Sequence, residues 1–272
     1  MQEHLFEDRI YYRTNVFKPN RLTLVFVHGL VGSSSAWLPY EKIFENEYNI
    51  LTYDIRGHGK SKKYLNYQDY EITEFANDLH NLTFYLNISK FILISHSFAG
   101  LIALEYIKLF RETVIATVFL SPIIYLNENL SAKIFRPILK VLSIITILPF
   151  NPKPRGHVDY NKHINSKDWD INRNLADMKN TTLRVHFNCL RKSLILKQEY
   201  FLEKINVPTL IVHGEKDTMA PVKNSITMSK KIENSELVII PNTDHIIVLN
   251  NVKKVSELIE SFIEKNKGNL IY

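Results

Sequence analysis

The sequence predicts an α/β fold: a mainly parallel sheet flanked by helices. Three observations lead there. Short apolar runs, near-continuous in Val, Ile, Leu and Phe, recur along the chain, as strands buried on both faces should. Helical patterns with apolar residues three or four apart lie between them, and such alternation makes parallel sheets. The chain has 272 residues, 45% of them hydrophobic, which is enough for one large core.

"RIYYRTNVF" and "RLTLVFVHG" read as two strands around a turn at Lys18-Pro19-Asn20, and "EYNILTYD" as a third ending at Asp54. Phe91–Ser95, Thr113–Ser121, Pro208–Gly214 and Glu236–Pro241 complete the series. Helices are expected over Trp37–Glu47, Ile72–Leu86, Ala99–Phe110, Val222–Ile232 and Val252–Ile263. Between about Ile123 and Glu203 no buried-strand run occurs. That segment holds "SAKIFRPILKVLSIITILPF", the Pro-rich "NPKPRG" and a helical pattern from Asn172 to Lys197. It reads as an inserted helical cap over 123–203, leaving 1–122 and 204–272 as the core.

Composition narrows the function classes. Lys and Arg number 34 against 28 Asp and Glu, a formal net charge of +6, with no dense basic tract. This is a solvated surface rather than a nucleic-acid footprint. A single cysteine, Cys189, excludes an intrachain disulfide. The start carries acids and no apolar core, so no signal peptide is expected, and "VLSIITILPF" is too short to span a bilayer. A cytoplasmic protein is the expectation. No G-x-G-x-x-G or P-loop occurs, and neither His157-Asp159-His163 nor His186-Cys189 has a strong zinc spacing, so no cofactor or metal is expected.

The chemistry concentrates in "FILISHSFAGLIALEY". A strand ending near Ser95 and a helix starting near Ala99 leave a sharp turn that thrusts out the Ser97 hydroxyl. Such a turn needs small residues two places before and two after, and Ser95 and Ala99 supply them. "SHSFAG" thus resembles the G-x-S-x-G nucleophile elbow of the α/β-hydrolases, departing from it at both glycine places. "LVFVHGLVGSSSAW" resembles the family's oxyanion-loop segment, and "YDIRGHGKS" its D-x-R-G-x-G-x-S segment. Asp217 in "LIVHGEKDTMAP" and His245 in "IIPNTDHIIVLNN" follow late strands, in the family's chain order of Ser, Asp, His.

That resemblance implies the α/β-hydrolase fold and a serine hydrolase, of carboxylesterase or lipase type. Ser97 would be the nucleophile, His245 the general base and acid, and Asp217 the residue that orients the imidazole. Backbone N–H groups of Leu30 and Phe98 would form the oxyanion hole. Ser95 is the competing serine, placed at the strand end as a packing residue. Asp244 is the competing acid, badly placed for its neighbour's ring. His96 shapes the pocket and Asp54 ties the following turn. For substrate binding the expectation is His28 with Phe135, Leu142 and Ile145 of the apolar cap, facing a small ester or a lipid such as a monoacylglycerol or lysophospholipid. The Ile134–Phe150 stripe also allows transient contact with a membrane surface. Carbon–carbon hydrolases, aminopeptidases, haloperoxidases and a non-catalytic ligand binder share the fold and stay open.

Overall fold

A computed structural model describes residues 1–124, 137, 138, 141, 156–196 and 198–270. Eight strands form one sheet: β1 (Gln2–Phe6), β2 (Ile10–Thr14), β3 (Thr23–Val27), β4 (Asn49–Tyr53), β5 (Phe91–His96), β6 (Val114–Leu120), β7 (Thr209–Gly214) and β8 (Ser235–Ile240). Their order is β1-β2-β4-β3-β5-β6-β7-β8. β1 and β2 are antiparallel to their neighbours, and every pair from β4–β3 onward is parallel. The α/β-hydrolase arrangement expected from the sequence is therefore present.

Alternation along the strands explains the two cores. Val25, Val27, Leu51, Tyr53 and Leu93 face one side of the sheet, while Leu24, Phe26, Ile50, Ile92 and Ile94 face the other. Helices α2 (Ile72–Tyr85) and α3 (Ala99–Leu109) cover the first side. Helix α1 (Leu38–Phe44) and the C-terminal helix α8 (Val252–Asn266) cover the second. Between β6 and β7 lie α4 (Ile171–Thr181) and α5 (Leu183–Ile195). Helix α6 (Val222–Lys231) follows β7, and the single turn α7 (Ile247–Asn250) follows β8.

Three details differ from the sequence reading. The strands either side of Lys18-Pro19-Asn20 do not pair with each other, because β4 lies between them. β1 was not expected: it is an edge strand exposed along most of its length, so it lacks an apolar run. The helical pattern from Asn172 to Lys197 is two helices, broken at Thr182, whose φ of 74° no α-helix accommodates. The Thr182 side chain accepts from the Val185 N–H and starts the second helix.

The parallel strands all end at one edge of the sheet, and β3 and β5 are the neighbours from which the chain departs in opposite directions. Such a switch point leaves a crevice beyond the strand ends. His28 follows β3, Ser97 follows β5, Asp217 follows β7 and His245 follows β8.

Candidate active site

Ser97 has φ of 56°, a left-handed conformation that costs a non-glycine residue of order 1–3 kcal/mol. Three backbone bonds hold it there: its N–H donates to Leu120 O at 2.9 Å, and its carbonyl accepts from Gly100 N at 2.9 Å and Ile123 N at 3.1 Å. The room comes from small neighbours. Ser95 is fully buried and leans its hydroxyl on the Val118 carbonyl. A Cβ on Gly100 would sit 3.2 Å from Pro122 Cβ.

The structure brings the three side chains singled out by sequence into one line. His245 Nε2 lies 2.7 Å from Ser97 Oγ, and His245 Nδ1 lies 2.7 Å from Asp217 Oδ2. Geometry assigns the tautomer: Nδ1–H donates to the carboxylate, which leaves Nε2 to accept from the serine hydroxyl. Gly214, at the end of β7, lets the histidine loop approach. A Cβ there would fall 2.3 Å from Asp244 O and 2.5 Å from Thr243 O.

Asp217 is buried, which would raise its pKa. Hydrogen bonds from His213 and His245 outweigh that and hold it well below the ordinary carboxylate value. Its Oδ1 accepts the N–H groups of Met219 and Ala220, at 2.9 and 2.7 Å. His213 Nε2 reaches Oδ2 at 3.2 Å, while its Nδ1 accepts from Ser225 Oγ at 2.7 Å. Asp244 does not compete. Its Oδ1 is spent on Ile246 N at 3.2 Å and Asn250 Nδ2 at 3.4 Å.

His96 donates from Nε2 to the His245 carbonyl at 3.1 Å. Burial, then the adjacent His245, push its pKa down to about 3, so it stays neutral. It therefore lines the site without serving as a base. Gly29 passes so close that a Cβ would sit 3.0 Å from His96 Nδ1 and 3.2 Å from Ser97 Cβ. Leu30 thus follows directly alongside the serine, and Phe98 caps the N-terminus of α3, where helix N–H groups lack intrahelical acceptors. Among the described residues, no acceptor pairs with the Leu30 or Phe98 N–H.

His28 lines the cavity, yet both ring nitrogens are occupied. Nδ1–H donates to Gly29 O at 2.8 Å and Nε2 accepts the Ile55 N–H at 3.1 Å. Burial lowers its pKa to about 4, so it stays neutral and fixes the loop. Asp54 is fully buried and accepts Ser34 N, Lys60 N and His157 Nε2, each at 2.7 Å. It ties the turn as expected and fastens the segment after β6 as well. Phe135, Leu142 and Ile145 lie outside the described residues.

Two residues with a direct hold on the site were missed: His213, which bonds Asp217, and Asp168. Asp168 is 4% exposed. Its Oδ1 accepts the His245 N–H at 2.7 Å, and its Oδ2 accepts Thr218 N at 2.9 Å and Thr218 Oγ1 at 2.7 Å. One carboxylate thus clamps the loop that carries the base to the loop that carries the acid. The segment after β6 makes further ties to this edge: Thr181 Oγ1 donates to Val31 O at 2.9 Å, and Ser35 Oγ donates to Val158 O at 3.0 Å. Beneath it lies a cavity of about 350 Å³ that reaches Ser97, His245, Leu30, Tyr160, Trp169 and Leu190. No helix among the described residues is long and apolar enough to cross a membrane.

Comparison with known proteins agrees with this fold. A family model described as the alpha/beta hydrolase fold matches residues 23–252. A Synechocystis protein carrying the name non-heme chloroperoxidase is 27% identical over 89% of this chain and 91% of its own. A Haemophilus influenzae protein named as an esterase/lipase is 26% identical over 91% of this chain and 85% of its own. Among solved structures, a bromoperoxidase from Bacillus anthracis superposes with a TM-score of 0.74 at 24% identity, covering 94% and 95% of the two chains.

Proposed function

The chain belongs to the alpha/beta hydrolase family, and from that premise we propose that it is a serine hydrolase that cleaves carboxylic esters through an acyl-enzyme. The observation that carries this reading is the 2.7 Å and 2.7 Å relay from Ser97 Oγ through His245 to Asp217, with the serine held at positive φ. A ligand binder gains nothing from a base aligned on a strained serine.

Ser97 Oγ attacks the ester carbonyl carbon while its proton passes to His245 Nε2. The imidazolium is stabilised by ionised Asp217. The carbonyl oxygen becomes an oxyanion and takes hydrogen bonds from the Leu30 and Phe98 N–H groups. Collapse breaks the bond to the leaving oxygen, which takes the proton from Nε2. A water then attacks the acyl carbon, gives its proton to Nε2, and the acid leaves as the proton returns to Ser97. No metal or cofactor has a part in this sequence.

Residues 123–203 act as a cap and 1–122 with 204–272 as the core. The ties from His157, Asp168 and Thr181 to the strand-end loops support that division. A cavity near 350 Å³ suits small esters, at the low end of ligand-pocket volumes. Lipid substrates and contact with a membrane surface rest on 134–150, of which only 137, 138 and 141 are among the described residues. The relative named as an esterase/lipase favours ester hydrolysis, and the one named as a chloroperoxidase motivates peroxide-dependent halogenation as the second reading. A p-nitrophenyl ester chain-length panel, run beside monoacylglycerol, anilide, epoxide and halogenation assays, separates them. Turnover led by short esters is expected; halogenation without ester turnover would overturn the reading.

A further inference from the structure

The wall of the cavity contributed by the segment after β6 carries Arg173, Asp177 and His186 among apolar neighbours such as Trp169 and Leu190. Arg173, on α4, lines the cavity and is only 3% exposed. One of its terminal nitrogens donates to Asp168 O at 2.7 Å and to Asn174 Oδ1 at 3.0 Å, both neutral acceptors. Its Nε–H is buried and has no partner among the described residues. Among the described residues it forms no ion pair. A buried guanidinium that no carboxylate meets directly is costly, since desolvation is repaid only by an opposite charge in good geometry.

The carboxylates around it accept their hydrogen bonds elsewhere, Asp244 from Ile246 N and Asn250 Nδ2. Asp168 gives both carboxylate oxygens to three donors on the catalytic loops. Asp177, one turn further along α4, accepts the Tyr160 hydroxyl at 2.6 Å. Burial lifts Asp177 to about 6 while the Arg173 charge pulls it down, so near neutrality it meets Arg173 through space and not by a hydrogen bond. A second orphan lies in the same cavity: His186, on α5, lines it, and its Nδ1 is buried and unpaired among the described residues.

We infer that this cavity accepts esters bearing a carboxylate group, which completes the Arg173 guanidinium while the ester carbonyl lies against Ser97. The inference rests on the ester-hydrolase reading and adds the substrate class. The shape and charge of the site select the anion. A guanidinium edge presents parallel N–H groups that match a planar carboxylate. One cation with Asp177 beside it suits a monoanion, not a dianionic phosphate ester. The apolar remainder of the wall, Trp37, Val248 and Leu249 among it, would hold the methylenes between the two ends.

Two measurements test it. The first compares mono(4-nitrophenyl) glutarate with the nearly isosteric 4-nitrophenyl pentanoate, adding a phosphate-bearing ester as a third arm. Wild-type protein is expected to favour the carboxylate ester in kcat/KM by about 10- to 100-fold, the range of a hydrogen-bonded charge pair. Arg173→Met should abolish the preference and Arg173→Lys should retain part of it. The second measurement is calorimetric titration of monomethyl and dimethyl glutarate into Ser97→Ala protein. Tighter binding of the monoacid, lost on adding Arg173→Met, is expected. Equal handling of charged and neutral ligands by the wild-type residue, or preference for the phosphate arm, overturns the inference. If no ester turns over, the hydrolase reading fails by itself, and the titration still decides whether Arg173 binds a carboxylate.

Discussion

Asp168→Asn is the most informative single change outside the relay. The wild-type carboxylate serves three donors: His245 N at 2.7 Å, Thr218 N at 2.9 Å and Thr218 Oγ1 at 2.7 Å. An amide keeps one acceptor oxygen and gains two donors. Its best orientation turns the oxygen to His245 N and the NH2 to Thr218 Oγ1, whose hydroxyl can rotate to accept. The Thr218 N–H is then left without an acceptor in a buried place. That costs about 1–3 kcal/mol of stability. Rotation the other way frees the His245 backbone, and a displacement of a catalytic group near 1 Å costs about 100-fold in rate. Urea unfolding should therefore report a loss of ~1–3 kcal/mol. kcat for a p-nitrophenyl ester should fall by about 10- to 100-fold, with KM much less changed, and Asp168→Ala should fall at least as far. Stopped assays at concentrations where the variant stays folded separate the two effects. A variant destabilised as stated but with wild-type kcat would refute the clamp as a positioning device.

Asp217→Asn should reduce kcat by as much as ~10⁴ with the fold intact, while Asp244→Asn stays within a few-fold; a reversed ranking in steady-state kinetics would make Asp244 the orienting acid. Asp177 titrates near 6 in the folded chain against an ordinary value of 3.8. Its proton is thus held more tightly when folded, so its contribution is most favourable below pH 3.8 and is lost as pH rises through 6. Stability of wild type relative to Asp177→Asn should fall by up to ~3 kcal/mol between pH 4 and 7.5, and unfolding curves giving one constant difference would contradict it. Gly59→Ala forces a Cβ to 2.2 Å from Asp54 Oδ2 at φ of 46°. It should cost more than the ~1–2 kcal/mol of the left-handed backbone alone, and a melting temperature equal to wild type would remove Asp54 as the fastening point.

What the sequence made legible, and what it hid, follows from the range of the interactions. The apolar runs and helical spacings report burial that each segment declares locally, so the strands from β2 to β8 and the core helices were found within a few residues. Ser97, Asp217 and His245 were legible because each follows an apolar strand run closely, and strand ends share an edge in a parallel sheet. β1 was hidden because an exposed edge strand has no apolar signature. The break at Thr182 carries neither Gly nor Pro, so nothing local announced it. Asp168 and Arg173 were hidden for a different reason. The Asp168 carboxylate acts on partners 77 and 50 residues away, and a lone acid in a polar stretch looks like solvated surface. His213 lies within a strand run, where histidines usually just pack, so its hold on Asp217 has no sequence signal. The expectation of a greasy cap came from 134–150, most of which lies outside the described residues, and the described cap residues that reach the cavity are mixed: Trp169 and Leu190 beside Tyr160, Arg173 and Asp177.

The catalytic claim is tested most directly by labelling with a fluorophosphonate, followed by mass mapping of the modified peptide. The expected result is one adduct, on Ser97, that forms at the rate of activity loss. The adduct should vanish in Ser97→Ala and persist in Ser95→Ala, and ester turnover should fall by up to ~10⁶ in the first variant only. An adduct on another residue, or ester hydrolysis that survives Ser97→Ala at the wild-type rate, would contradict the assignment of Ser97 as nucleophile.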